Sequence, residues 1–230
     1  MSDAADPGSA PGPPGPAVLL LAQAPDAAGV KLGLESRLGP QGRRRLQAIL
    51  LKRAVRWASG VDRAAVVLAL AGEPGAAARG VLELGAEVEV IDQAPGTFGE
   101  RLAGAMSRVG DHDRPLLVAS CDVPGLRVEH AEAALEDLED GCDVSFGPSS
   151  DGGCYLLGLA RPDPDLIARS VGAWRRGELM ARALEALAAN ELSVGLLRSE
   201  RELHSESDAQ ALLADPTAPA EVVEVLAGRA

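Results

Sequence analysis

The chain has 230 residues, of which 47% are hydrophobic but only 2% aromatic, and a formal net charge of −12. That length suits one α/β domain plus tails, with a core built from Leu, Val, Ile and Ala. A surface this acidic repels a phosphate backbone and argues against long nucleic acid as a partner, while a pocket with its own local charge or a bound cation can still take a small phosphorylated ligand.

The only lysines are Lys31 and Lys52. The three cysteines, Cys121, Cys142 and Cys154, are odd in number and include no C-x-x-C pair. This argues against a disulfide framework and a structural zinc site. No apolar run reaches the length of a membrane span, and no basic region precedes an apolar stretch at the N-terminus. A cytoplasmic location is therefore the default expectation.

Residues 1–16, rich in Pro, Gly, Ala and Ser, read as a disordered tail, and 17–230 as one domain. Ala17–Ala22 is a continuous apolar run of strand length, as in a parallel sheet covered on both faces. A helix over Gln41–Ser59 follows, then a strand over Ala64–Leu70, a short helix over Gly75–Leu84 and a strand over Glu87–Ile91. Thr97–Val109 reads as a helix with Thr97 as its N-cap, Pro115–Cys121 as a strand and Glu129–Glu139 as a helix. Strands over Asp143–Phe146 and Cys154–Leu159 come next, then a helix over Glu178–Ala189, a strand over Ser193–Leu197 and a last helix starting at Asp208. This alternation predicts an α/β, mostly parallel, doubly wound sheet. The connection GPSSDGG between two of the strands is too short for a parallel crossover, so one strand is expected to run antiparallel. The apolar segment Ala220–Ala227 either caps the domain or joins two chains as a homodimer.

Ligands of open α/β sheets bind beyond the carboxyl ends of the strands. After the first strand, Gly29 and Lys31 lie in a loop that can cradle phosphate, although the Walker spacing is absent. Read by itself, the loop is more simply a surface connection with a solvated lysine. Asp122 ends the fourth strand ahead of Pro124 and Gly125; there it either ligates Mg²⁺ or Mn²⁺ or caps the turn. The stretch Gln93–Arg101, with Gly96 and Gly99, suits a base or ribose, or is an ordinary strand-to-helix loop. Asp151, Gly152 and Gly153 allow close backbone approach to a ligand, yet Asp-Gly is also a hairpin signal. The three histidines show no metal or triad spacing, and His112 and His130 are expected at the surface. No G-x-S-x-G is present.

The order of these motifs resembles the DUF2064 family, bacterial proteins of glycosyltransferase-A type, and is more distantly similar to the phospholactate and molybdopterin guanylyltransferases. The resemblance runs from about Ala17 to Leu212 and rests on QAPGTFGERL (Gln93–Leu102), CDVPGL (Cys121–Leu126) and GPSSDGGCYLLGL (Gly147–Leu159). It implies a nucleotide-diphospho-sugar transferase fold with Mg²⁺ or Mn²⁺ on Asp122. Lys31 would contact phosphates, with Gln93, Gly96, Gly99 and Arg101 near the nucleotide. Asp151, Gly152, Gly153 and Tyr155 would lie by the transferred group or a small-molecule acceptor, with Asp122 and Asp151 as the catalytic pair. The implied reaction is glycosyl transfer from a nucleotide sugar; the alternatives are nucleotidyl transfer from a nucleoside triphosphate and a nucleotide-binding module without catalysis.

Two departures from the family pattern stand out. Its first-loop Val-Lys-Thr-Arg-Leu reads Val-Lys-Leu-Gly-Leu at Val30–Leu34, so the arginine is lost and Arg37 is the nearest substitute. Its Asp-Val-Asp-Thr-Pro-Glu-Asp-Leu, set without gaps on Ser205–Leu212, puts the second aspartate on Ser207, with Glu206 and Asp208 as the flanking metal ligands.

Overall fold

The computed structural model describes residues 15–72, 87–109, 113–171 and 179–228. Its strands are β1 (Ala17–Gln23), β2 (Ala65–Ala71), β3 (Val88–Asp92), β4 (Leu116–Ser120), β5 (Val144–Pro148), β6 (Cys154–Leu159) and β7 (Val194–Leu196). They form one sheet in the order β3-β2-β1-β4-β6-β5-β7. β6 runs antiparallel to β4 and β5, and every other pairing is parallel. The short β5–β6 connection therefore has the consequence expected of it.

The helices are α1 (Glu35–Ser59), α2 (Phe98–Val109), α3 (Val128–Glu139), α4 (Pro164–Val171), α5 (Leu179–Ala189), α6 (Glu206–Leu213) and α7 (Ala220–Leu226). The apolar run of β1 is explained by two cores. Val18, Leu20 and Ala22 pack with Leu51 and Ala54 of α1 and Ala131 and Ala134 of α3. Ala17 and Leu19 point the other way, to Leu102 and Met106 of α2, Ile167 of α4 and Ala183 of α5. A strand alternates its side chains between faces, so one buried on both must be apolar throughout. A third cluster joins Leu46 and Leu50 of α1 to Ala209 of α6 and to Val222 and Val225 of α7. The C-terminal apolar segment thus caps this domain.

Two helices differ from expectation. α1 begins at Glu35 rather than Gln41 and bends at Gly39, whose φ is 59°. Pro40 cannot donate to the preceding turn, and glycine tolerates the left-handed backbone at the bend. The helix α4 was not expected. Asp163 caps it, Oδ1 accepting from Leu166 N at 2.9 Å, and Pro164 fills its first position. That Asp-Pro pair is a readable start signal. The predicted helix over Gly75–Leu84, residues 1–14 of the tail and His112 lie outside the described residues. Pro16 already belongs to the sheet region, its carbonyl accepting from Ala65 N at 3.0 Å. No described helix is long and apolar enough to cross a membrane.

Phe146, fully buried in β5, fills the α4–α5 side of the core. Phe146→Ala is expected to lower stability by about 3–5 kcal/mol, read as a shifted midpoint in chemical denaturation.

Candidate functional site

A cavity of about 560 Å³ opens over the carboxyl ends of β1 and β4 and the start of β6. Lys31 forms its floor. Its side chain is 3% exposed, Nζ donates to Leu203 O at 2.8 Å, and Asp122 Oδ1 lies 2.7 Å away. Leu203 N in turn donates to Asp122 O at 2.8 Å. The first-strand loop, the end of β4 and the segment after β7 are thereby tied at one point. Lys31 is no solvated loop residue.

On the β2 side, Gln93 Nε2 donates to Ala22 O and Ala69 O at 3.1 and 2.8 Å, closing the ends of two strands. Gln93 Oε1 accepts from Arg101 Nη1 at 2.9 Å, and the Arg101 guanidinium lies 5.8 Å from the Phe98 ring centre. Lys31, Gln93 and Arg101 all line the cavity; Gly96 and Gly99 do not, shaping instead the turn and first turn of α2. Thr97 caps that helix as expected, with Glu100 N donating to its Oγ1 at 3.3 Å.

On the β6 side, Gly153, Cys154 and Tyr155 line the cavity. Tyr155 donates its hydroxyl to Arg198 O at 3.1 Å, and burial followed by Glu200 pushes its phenol above the ordinary range, so it is a wall rather than a proton acceptor. Burial, followed by the nearby carboxylates, likewise pushes the Cys121 and Cys154 thiols up, so neither supplies a nucleophilic thiolate. In the preceding turn Asp151 Oδ1 accepts from Ser149 Oγ at 2.7 Å and Gly153 N at 3.1 Å. Gly152, at φ 82°, belongs to this turn, not to the lining.

The expected metal ligands Glu206 and Asp208 are not brought to Asp122. Glu206 is bound by Arg37, whose Nε donates to Oε2 at 2.8 Å and whose Nη1 donates to Leu226 O at 3.1 Å. The same bonds occupy Arg37, which therefore does not replace the lost arginine. Asp208 closes a capping box, its Oδ2 accepting from Ser205 N at 2.9 Å and its Oδ1 from Arg201 at 3.1 Å. Both assignments are corrected: these carboxylates hold α6.

In their place stand Glu202 and His204, which sequence reasoning missed. Both line the cavity, while Leu203 between them is buried in the third core cluster. His204 Nδ1 faces Asp122 Oδ2 and its Nε2 faces Glu202 Oε2, each at 3.4 Å. Ligand atoms of Asp151, Glu202 and His204 lie within 4.8 Å of one another. Carboxylate oxygens with one imidazole form a donor set that suits a divalent cation.

The missing signal was the cap. In Thr-Pro the threonine is an N-cap and the proline the first helical residue. Here Ser205 is the N-cap. Setting that threonine on Ser205 moves the family motif three residues back, placing its two aspartates on Glu202 and His204 and its last on Asp208. His130, expected at the surface, is buried, Nδ1 accepting from Arg127 N at 3.1 Å and Nε2 lying 2.9 Å from Glu200 Oε1.

Residues 53–171 match the family model described as "Uncharacterized protein conserved in bacteria (DUF2064)". The chain belongs to the DUF2064 family. The match stops short of Glu202 and His204. Among solved structures, a protein from Desulfovibrio desulfuricans G20 provisionally named a nucleotide-diphospho-sugar transferase shares 19% identity, with TM-score 0.79 over 93% of this chain and 94% of that one. A 4-diphosphocytidyl-2C-methyl-D-erythritol synthase from Anaerococcus prevotii DSM 20548 shares 11% identity, with TM-score 0.58 over 87% and 99% of the two chains. A CMP:2-keto-3-deoxy-manno-octonic acid synthetase complexed with CTP shares 12% identity, with TM-score 0.52 over 87% and 97%. No curated protein matches the sequence. This DUF2064 member thus shares its fold with the protein provisionally named a nucleotide-diphospho-sugar transferase and with nucleotidyltransferases.

Gly33 carries a further constraint. A Cβ there would collide with the His204 carbonyl oxygen, so the chain has no room for the family arginine. Gly33→Ala is expected to displace the segment bearing Glu202 and His204 and to lower the melting temperature; an unchanged melting curve contradicts the contact. Hydrogen bonds from Ser205, His204 and Arg201 outweigh desolvation and hold Asp208 below the usual carboxylate range. A depressed carboxylate stabilises the fold above its unfolded pKa, and that contribution fades as pH falls through the folded value. Asp208→Ala should therefore cost about 1 kcal/mol at neutral pH. In pH-dependent denaturation the difference from wild type should shrink below the ordinary carboxylate range.

Proposed function

We propose that the protein transfers the glycosyl group of a nucleotide-diphospho-sugar to a small acceptor with the help of a divalent cation. The observation that carries this reading is the convergence of the buried Lys31 with Asp122, Glu202 and His204 on one cavity at the carboxyl edge of the sheet. Its volume of about 560 Å³ falls within the range of small-molecule sites. Asp151, Glu202 and His204 would hold the cation, with Asp122 on the other imidazole nitrogen orienting the ring, and the cation would supply positive charge to the departing diphosphate. Lys31, fixed in the loop after β1, faces the phosphates, and Gln93 and Arg101 face the nucleoside. In the transfer the acceptor oxygen bonds to the anomeric carbon and gives its proton to solvent. The carbon–oxygen bond to the diphosphate breaks, and its electron pair stays on the nucleoside diphosphate.

Charge favours a diphosphate donor over a triphosphate. Lys31 and Arg101 are the only Lys or Arg side chains on the described lining, set against Asp122 and Glu202. No arginine fits at position 33 to carry additional phosphate charge. Nucleotidyl transfer is the second reading, favoured by the likeness to the CTP-bound synthetase.

Calorimetric titration tests both. UDP, GDP, their glucose and mannose sugars, GTP and CTP are added with Mn²⁺ or with EDTA, to wild type and to Asp122→Ala shown folded by circular dichroism. Micromolar binding of a nucleotide sugar is expected, weakened at least about tenfold, or 1.4 kcal/mol, by EDTA and by the substitution. Preference for a triphosphate moves the assignment to nucleotidyl transfer. Absence of binding to all of them sinks both readings.

A further inference from the structure

We infer that Gln47 reads a hydrogen-bond donor on the nucleoside, an N–H of the base or an O–H of the ribose, and so sets which nucleotide the cavity accepts. This rests on the nucleotide-binding part of the proposed function, and on neither its cation nor its transfer step.

Gln47 stands on the buried face of α1, where Leu50, Leu51 and Ala54, one and two turns further on, pack into the core. It is 2% exposed and lines the cavity. Its Nε2 donates to Gln23 O at 3.0 Å, at the end of β1. That bond fixes the amide, because the opposite orientation sets two oxygens against each other. The remaining Oε1 is a buried acceptor with no partner among the described residues. A buried amide oxygen with nothing to accept destabilises the fold, and an apolar side chain of similar shape avoids that penalty.

Four buried side-chain atoms lack a hydrogen-bond partner among the described residues: Arg43 Nε, Gln47 Oε1, Arg101 Nε and Arg114 Nε. Of these four residues, Gln47 and Arg101 line the cavity and the other two do not. Arg43 Nε is in any case met by the Glu35 carboxylate. Buried polar groups are nearly always paired, so unmet ones gathered on one cavity point to a ligand. The two are complementary, since the glutamine oxygen only accepts and the guanidinium only donates. Ionised phosphate also only accepts, so it satisfies Arg101 but not Gln47. The group that meets Gln47 therefore belongs to another part of the nucleotide. Ala22 O, next to Gln23, accepts from Gln93, which puts Gln47 by the residues assigned to the nucleoside. The β6 border, assigned to the transferred group, is separated from β1 by β4. The terminal torsion of a glutamine is soft, so a small turn of the amide brings Oε1 onto a donor in the cavity.

The test is calorimetric titration of the full chain with Mn²⁺. The probes are UDP, UTP, GDP and GTP, their base-methylated forms (N3-methyluridine and N1-methylguanosine) and their 2′- and 3′-deoxy forms, added to wild type and to Gln47→Met. Wild type is expected to bind the analogue that lacks the donor at least about tenfold more weakly than its parent, because a site built around a hydrogen bond rejects the ligand that cannot make it. Loss with the methylated base assigns the donor to the base, and loss with a deoxy form assigns it to the ribose. Gln47→Met should weaken the parent to a similar degree and no longer distinguish that analogue. Without nucleotide its melting temperature should equal or exceed that of wild type; a merely structural glutamine gives a lower one with unchanged affinity. Equal binding of every analogue by wild type, which needs no variant to fold, overturns the inference. So does wild-type affinity in Gln47→Met, or absence of binding to all the parents. Tighter binding of triphosphates with the same analogue losses supports Gln47 while moving the reaction to nucleotidyl transfer. Glycosyl transfer from a nucleotide sugar at wild-type affinity in Gln47→Met keeps the proposed function and overturns this inference.

Discussion

The site depends on one tie, the buried Lys31 ammonium held between the Asp122 carboxylate and the Leu203 carbonyl. Lys31 takes a left-handed backbone at φ 50°, which costs a non-glycine residue roughly 1–2 kcal/mol. The ammonium contacts offset that cost, and they explain how a chain with so few lysines places one in its interior. Because Leu203 also donates to the Asp122 carbonyl, the two backbones and the side chain form a closed circuit. Glu202 and His204 flank Leu203 in sequence, so this circuit also fixes where they meet the cavity.

The fold was legible because its signals are local and repeated. The run AVLLLA announced a strand buried on both faces, and the short GPSSDGG link required an antiparallel partner. Capping was legible at Thr97 but not at Asp163 or Ser205, whose side chains also start helices. The last omission mattered most. Without the cap, the C-terminal motif slides by three residues and falls on Glu206 and Asp208, whereas the residues that reach the cavity are Glu202 and His204. A helix start fixes register more firmly than the identity of isolated acidic residues does.

Long-range placement was not legible. Nothing near His204 in sequence identifies Asp122 as its neighbour; the sheet order and the pairing of Leu203 bring them together. Nor does the sequence show that Gly33 lies against the same segment. The glycine and the histidine, far apart along the chain, are two sides of one contact. Read singly, each is a departure from the family pattern; read together, they describe a cavity whose first-strand loop has drawn close to its C-terminal segment.

The direction of β6 divides the cavity into two kinds of border. Lys31, Gln93 and Asp122 sit where strands end and hand over to long helical crossovers, so altering those connections disturbs the packing of whole layers. Asp151 and Gly153 sit where a strand begins, on a tight turn that returns along the same sheet. An insertion or deletion in that turn reshapes one wall and leaves the doubly wound framework alone. The architecture thus separates a border tied to the whole framework from one that can change alone.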